Sequence, residues 1–111
     1  MVKFTILFRR AAGMTHEECM EYWRTSHAQA VRASEICRRY VRKYVQCEIS
    51  ACVPPGVPEY DGIAELWFDS PEDQAAFFAD PEYAAALAPD ESNFVDRASV
   101  ACYLVEETPI V

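Results

Sequence analysis

The chain has 111 residues, with 18 acidic side chains against 10 lysines and arginines and a formal net charge of -8. That balance excludes nucleic acid and anionic membrane surfaces as main partners, because binding phosphate requires a basic surface. Hydrophobic residues at 51% and charged residues at 25% suit a single globular domain over residues 1–111, with no disordered tract and no membrane-spanning run. The five cysteines are scattered, without C-x-x-C spacing, and the first residues enter a strand pattern rather than a leader. Both features predict a cytoplasmic chain with reduced thiols.

Val2 to Phe8 alternates, with Phe4, Ile6 and Phe8 facing one way and Lys3, Thr5 and Leu7 the other, which predicts a strand. Ala11 to Met14 is a connection in which Gly13 can supply an unusual backbone angle. Thr15 and Glu18 then form a capping box that starts a helix, and acidic Glu17 and Glu18 suit its N-terminal dipole. Four-residue spacing places Cys19, Trp23 and His27 on one side of that helix, with Glu17, Glu21 and Arg24 on the other. His16, in the first turn, is expected to be solvated. The helix is expected to continue or re-form as far as Arg38, where several arginines make a local basic patch.

Tyr40 to Ser50 reads as a second strand, with Val41, Lys43, Val45, Cys47 and Ile49 on one face and Tyr40, Tyr44, Gln46 and Glu48 on the other. The proline-rich stretch Cys52 to Pro58 is a loop. Gly62 to Phe68 is a third strand, with Ile63, Glu65 and Trp67 opposite Ala64, Leu66 and Phe68. Ser70-Pro71-Glu72-Asp73 opens a helix, and Asp80-Pro81-Glu82-Tyr83 opens another. Pro89 to Phe94 is a turn or short helical piece, and Ala98 to Glu106 is the last strand.

This order predicts an α+β fold, the ferredoxin-like βαββαβ arrangement with its helices on one face of a four-stranded antiparallel sheet. Leu7, Ile63, Trp67, Tyr103 and Val105 give the other face an apolar character as well. An apolar face needs a cover, and a homodimer with packed sheets is the economical one.

The run Thr15-x-x-Glu18-x-x-x-Tyr22-Trp23-x-x-x-His27-Ala28 resembles the EthD-like family. The first strand, the segment Asp61 to Glu72 and the segment Asp90 to Asp96 are similar to it as well. Many family members carry proline after His-Ala, where this chain has Gln29. The resemblance implies a dimeric α+β barrel and no single activity. Similar proteins include decarboxylases and dehydratases of aromatic polyketide pathways and methylmuconolactone isomerases.

His27 is the leading catalytic candidate. Imidazole titrates near neutrality, so it can take and give a proton there; the alternative is a buried histidine bonded to a carbonyl at a helix end. Asp90 is a second candidate, as orienter or proton carrier, or else a local turn cap. Tyr22, Trp23, Tyr44, Trp67 and Phe94 are expected to bind a flat aromatic or lactone substrate, with Trp67 and Tyr103 alternatively filling a dimer core. Glu65 shares those mixed strand faces. No metal site and no cofactor is expected: histidines and cysteines do not cluster, and no glycine-rich phosphate loop occurs. Haem on a single histidine, as in related barrels, remains an alternative. With the resemblance, the expected activity is a cofactor-independent lyase (decarboxylase, dehydratase or cyclase) on a small aromatic or polyketide-like substrate. The alternatives are a muconolactone-type isomerase and a non-catalytic binding dimer.

Overall fold

A computed structural model describes all 111 residues. Four strands, β1 (Val2–Phe8), β2 (Val41–Glu48), β3 (Gly62–Phe68) and β4 (Ala101–Val105), form one antiparallel sheet in the order β2-β3-β1-β4. The period-two pattern of β3 decides its orientation. Gly62, Ala64, Leu66 and Phe68 are buried, while Ile63, Glu65 and Trp67 between them stay partly exposed. Phe4, Ile6, Tyr44 and Cys102 pair across from Ala64 and Leu66 or from each other, so they share this inner face.

Helices cover the inner face only. The Thr15 capping box is present, with the Thr15 hydroxyl accepting from the Glu18 amide at 3.1 Å and Glu18 accepting from the Thr15 amide at 2.8 Å. It opens α1 (His16–Tyr22), which runs through a π-helical turn, Trp23–His27, into α2 (Ala28–Ala33). The expected continuation to Arg38 is broken at Ser34, which turns extended and accepts from the Cys37 amide to cap α3 (Glu35–Tyr40). Tyr40 therefore ends a helix instead of starting β2. After β3 come α4 (Pro71–Ala79), capped by Ser70, a second π-helical turn at Tyr83–Leu87, and the short α5 (Ala88–Glu91). A 3₁₀ turn at Arg97–Ser99 takes the first residues expected for β4.

Two local features tune the inner face. A register shift between Val41 and Lys43 puts Val41 opposite Phe68. Val41 therefore packs on the core side with Tyr44, not beside Lys43 and Val45 as the alternation predicts. Gly62 is required by close packing. A Cβ there would lie 2.7 Å from the Phe8 ring and 2.9 Å from the Trp23 ring. Phe8 and Trp23 meet edge to face, with centroids 4.9 Å apart. The core is built around fully buried Phe68, Phe94, Met20, Ile36 and Cys19.

Candidate active site

The inner face of the sheet does not close completely against its helices. A cavity of about 360 Å³ remains, lined by 20 residues of which 17 are hydrophobic. Its floor includes Phe4, Ile6, Ala64 and Leu66, and its walls include Val31, Phe77, Phe78 and Leu87. Arg97 and Cys102, the more exposed lining residues, mark its mouth beside β4. The polar groups that reach it are few: His27, Tyr44, Glu91 and Arg97, with the phenol of Tyr83.

His27 ends the first π-helical turn and is only 5% exposed. Its Nδ1 lies 2.7 Å from Asp90 Oδ2, a contact that spans 63 residues of sequence. Asp90 lies within the short α5, and its other oxygen accepts from the Tyr22 hydroxyl at 2.6 Å. Asn93 donates to that hydroxyl at 3.0 Å, which completes a relay Asn93–Tyr22–Asp90–His27. Burial pushes the Asp90 carboxyl up, but the hydrogen bonds from Tyr22 and His27 outweigh it and hold the group below the usual carboxylate range. An ionised Asp90 keeps the proton on Nδ1, which leaves Nε2 as the basic nitrogen. No protein group pairs with Nε2, and no buried polar side-chain atom is left without a partner, so Nε2 looks onto open space. His27 is itself one of the residues that line the cavity.

Packing fixes the ring from behind. Phe94, 1% exposed, lies 4.9 Å from the His27 ring and 5.4 Å from the Tyr22 ring, centroid to centroid. The segment after α5 is tied to the end of β1: the Ala11 amide donates to the Phe94 carbonyl at 2.8 Å and the Asp96 amide to the Arg9 carbonyl at 2.9 Å. These bonds carry Asp90 and Phe94 across to His27.

Tyr44 supplies a hydroxyl on the sheet side. Its oxygen accepts from Trp23 Nε1 at 3.0 Å and from Gln46 Nε2 at 3.4 Å. Burial pushes this phenol up to about 12, ahead of the opposing effect of those two donors. With both lone pairs engaged, its own proton is the one free to donate to a ligand.

Tyr83 and Glu91 form the remaining polar pair. The Tyr83 hydroxyl reaches both oxygens of Glu91, at 3.0 and 2.8 Å. Burial raises the Glu91 carboxyl above its ordinary value, against the lowering effect of Tyr83, His27 and Arg97. Burial also raises the Tyr83 phenol, followed by the charge of Glu91.

Of the residues singled out from sequence, His27, Trp23, Tyr44 and Phe94 line the cavity, and Asp90 stands directly behind His27. Two are placed elsewhere. Tyr22 is not in the wall; its ring stacks on Phe94 and its hydroxyl serves Asp90. Trp67 is on the opposite face of the sheet, paired with Lys3 and Lys43, with Nε1 donating to Glu107 at 2.6 Å. An odd position in β3 cannot reach a cavity bounded by Ala64 and Leu66. Glu65 faces outward too, bridged to Lys3 at 2.8 Å. His16 is only partly exposed and is bonded on both ring nitrogens. Its Nδ1 lies 2.7 Å from Asp61 and its Nε2 3.0 Å from Glu48.

Glu91, Tyr83 and Arg97 escaped the sequence reading: Glu91 fell in the stretch read as a turn, Tyr83 at the start of a short helix, and Arg97 between that turn and the last strand. One signal was available. A spacing of eight residues overshoots two α-helical turns by about one residue, and a π-helical turn between them absorbs the excess. No group of three histidine, cysteine, aspartate or glutamate side chains converges to hold a metal.

Fold and cavity together define a ferredoxin-like α+β protein with a one-sided apolar pocket and a histidine–aspartate pair on its wall. The EthD domain family matches residues 11–98, and the chain belongs to that family. Solved structures share the fold. An EthD-family protein from Bacillus halodurans is 18% identical, covering 97% of this chain and 99% of its own, with a TM-score of 0.74. A dimeric ferredoxin-like protein of unknown function from Bacteroides fragilis is 23% identical over 96% of this chain and 95% of its own, with a TM-score of 0.68. A DABB-family protein from Mesorhizobium loti is 13% identical over 97% of each chain, with a TM-score of 0.65. No functionally curated protein matches the sequence.

Proposed function

We propose that this protein is a cofactor-independent proton-transfer enzyme acting beside a carbonyl group of a small, flat, aromatic or polyketide-like molecule. The observation that carries the reading is His27 on the wall of a largely apolar cavity of about 360 Å³, with Nδ1 held by Asp90 and Nε2 without a partner. A base in that position takes a proton from carbon and returns it elsewhere, the step shared by dehydratases, cyclases, decarboxylases and lactone isomerases. Tyr44 donates to the substrate, Asp90 orients the base, and apolar walls exclude water.

A homodimer is part of the proposal. Leu7, Val45, Ile63, Trp67, Tyr103 and Val105 share the outer face of the sheet, which no element of the chain covers. The Bacteroides fragilis and Thermobifida fusca relatives are described as dimeric. All five cysteines are unpaired, which supports a reducing, cytoplasmic setting.

The test is solvent-deuterium incorporation next to the carbonyl of an aromatic ketone such as 1-tetralone, followed by mass spectrometry. Wild-type protein should accelerate incorporation and His27→Ala should not. Equal rates for the two proteins, with ketone bound to both, mark the cavity as a binding site without this chemistry.

A further inference from the structure

We propose that Glu91 is the second proton carrier of the cavity, a neutral carboxylic acid that protonates the carbonyl oxygen of a bound neutral ketone or lactone. The inference rests on the reading of His27 above and adds what the base and the Tyr44 hydrogen bond do not supply, a group that gives up its proton at oxygen. An enolate forming among apolar walls needs a proton or a strong donor at oxygen, because hydrocarbon side chains do not stabilise its charge.

Geometry carries the assignment. Glu91 ends α5 and lines the same cavity as His27. The carboxyl is held by one group, the Tyr83 hydroxyl, at 2.8 and 3.0 Å. Tyr83 opens the second π-helical turn and lines the same cavity, where its hydroxyl meets Glu91. Arg97 makes no hydrogen bond to Glu91. Its Nη1 stands 4.0 Å from Glu91 Oε2 and donates instead to the Ala88 carbonyl at 3.1 Å and to Ser92 Oγ at 3.4 Å. The neighbouring charge of Asp90 is committed to His27 and further disfavours a second anion. The ionisable groups facing Glu91 are thus Tyr83, His27, Arg97, Asp90, Tyr44 and Cys102.

In the step, the C–H bond beside the carbonyl breaks and its proton goes to His27 Nε2. The electron pair becomes the C=C bond of the enol. The Glu91 O–H bond breaks and its proton goes to the carbonyl oxygen. The products are a neutral enol, an imidazolium and a carboxylate, with no change of oxidation state. The same arrangement selects uncharged carbonyl compounds over carboxylate anions, because the wall is apolar and its one arginine is engaged with the chain.

Two measurements on the full-length protein test this. Deuterium incorporation into 1-tetralone is compared for wild type, Glu91→Gln and His27→Ala. Glutamine keeps a partner for Tyr83 but has no proton to give. Glu91→Gln should lower kcat roughly 10²-fold or more with KM held within about twofold. The wild-type rate should fall as pH rises through the Glu91 titration, and Glu91→Gln should lose that alkaline limb. Separately, the infrared spectrum near pH 7 should contain the C=O stretch of a protonated carboxyl group that Glu91→Gln removes. Unchanged turnover in Glu91→Gln, with His27→Ala inactive, overturns the role of Glu91 and leaves that of His27 standing. Absence of the protonated-carboxyl band overturns it whatever the variant's turnover or folding. Exchange undiminished in His27→Ala, or none in wild type, instead removes the underlying reading, while the infrared result still decides the state of Glu91.

Discussion

The chain has two histidines, and each meets an aspartate through Nδ1 at 2.7 Å. The pairs are alike in contact and opposite in consequence. At His16 the second nitrogen is taken by Glu48 at 3.0 Å, and Arg10 adds a backbone and a guanidinium hydrogen bond to Asp61 at 2.8 and 3.0 Å. Every partner is satisfied, and the cluster staples the start of α1 to the ends of β1, β2 and β3. At His27 the second nitrogen has no partner, and the residue lines a cavity. The first pair is a fastener; the second leaves one nitrogen open for the proposed proton transfer.

The largest expected effect separates the two pairs by activity. His27→Gln should cost about 10²- to 10⁴-fold in ketone proton exchange, while His16→Gln leaves the rate of the folded protein unchanged. Comparable losses in both variants, measured at matched folded fractions, would erase the distinction. Next comes Asp90→Asn, which removes the charge that holds the proton on Nδ1. Its loss should be smaller, roughly 10²-fold, mostly in kcat. An unaltered kcat would make Asp90 a helix residue and nothing more.

The staple predicts stability changes. Asp61 is 5% exposed and receives from His16 and Arg10. Asp61→Ala leaves those donors without a partner and should cost about 1–3 kcal/mol in urea unfolding. The smallest effect is a pH dependence. The hydrogen bond to Asp61, followed after opposing desolvation by that to Glu48, raises the His16 imidazole above its ordinary value. Its contribution is complete below about pH 6.5 and is lost as pH rises through the higher folded-state value. Burial would raise Asp61, but bonds from His16 and Arg10 hold it low. Its contribution is complete above about pH 3.9 and is lost as pH falls through the depressed value. Urea midpoints should decline on the alkaline side in wild type and decline less in His16→Gln. Parallel curves would show that His16 does not carry the slope.

Much of the fold was legible because its signals are local. The capping box at Thr15, the Ser70-Pro71 start and the alternation of β1 and β3 each depend on residues a few positions apart. Local reading failed where pairing across the sheet overrides it, as in the bulge that moves Val41 inward. It failed again at Ser34, whose cap is reinforced by the side chain of Glu82, which accepts from the Glu35 and Ile36 amides at 3.3 and 3.2 Å.

For the site, periodicity alone placed Trp23 and His27 on the inward side of a helix, since helix geometry fixes which residues share a face. Whether that imidazole would be fastened on both nitrogens or on one was decided by partners far along the chain. Asp90 lies 63 residues from His27, and Asp61 lies 45 from His16. The placement of Tyr83 and Glu91 on the same cavity was decided in the same way, by a π-helical turn and by the bonds that dock the end of α5 on β1. Side-chain chemistry and local periodicity are written residue by residue; empty space is a property of elements packed together, and only the tertiary structure contains it.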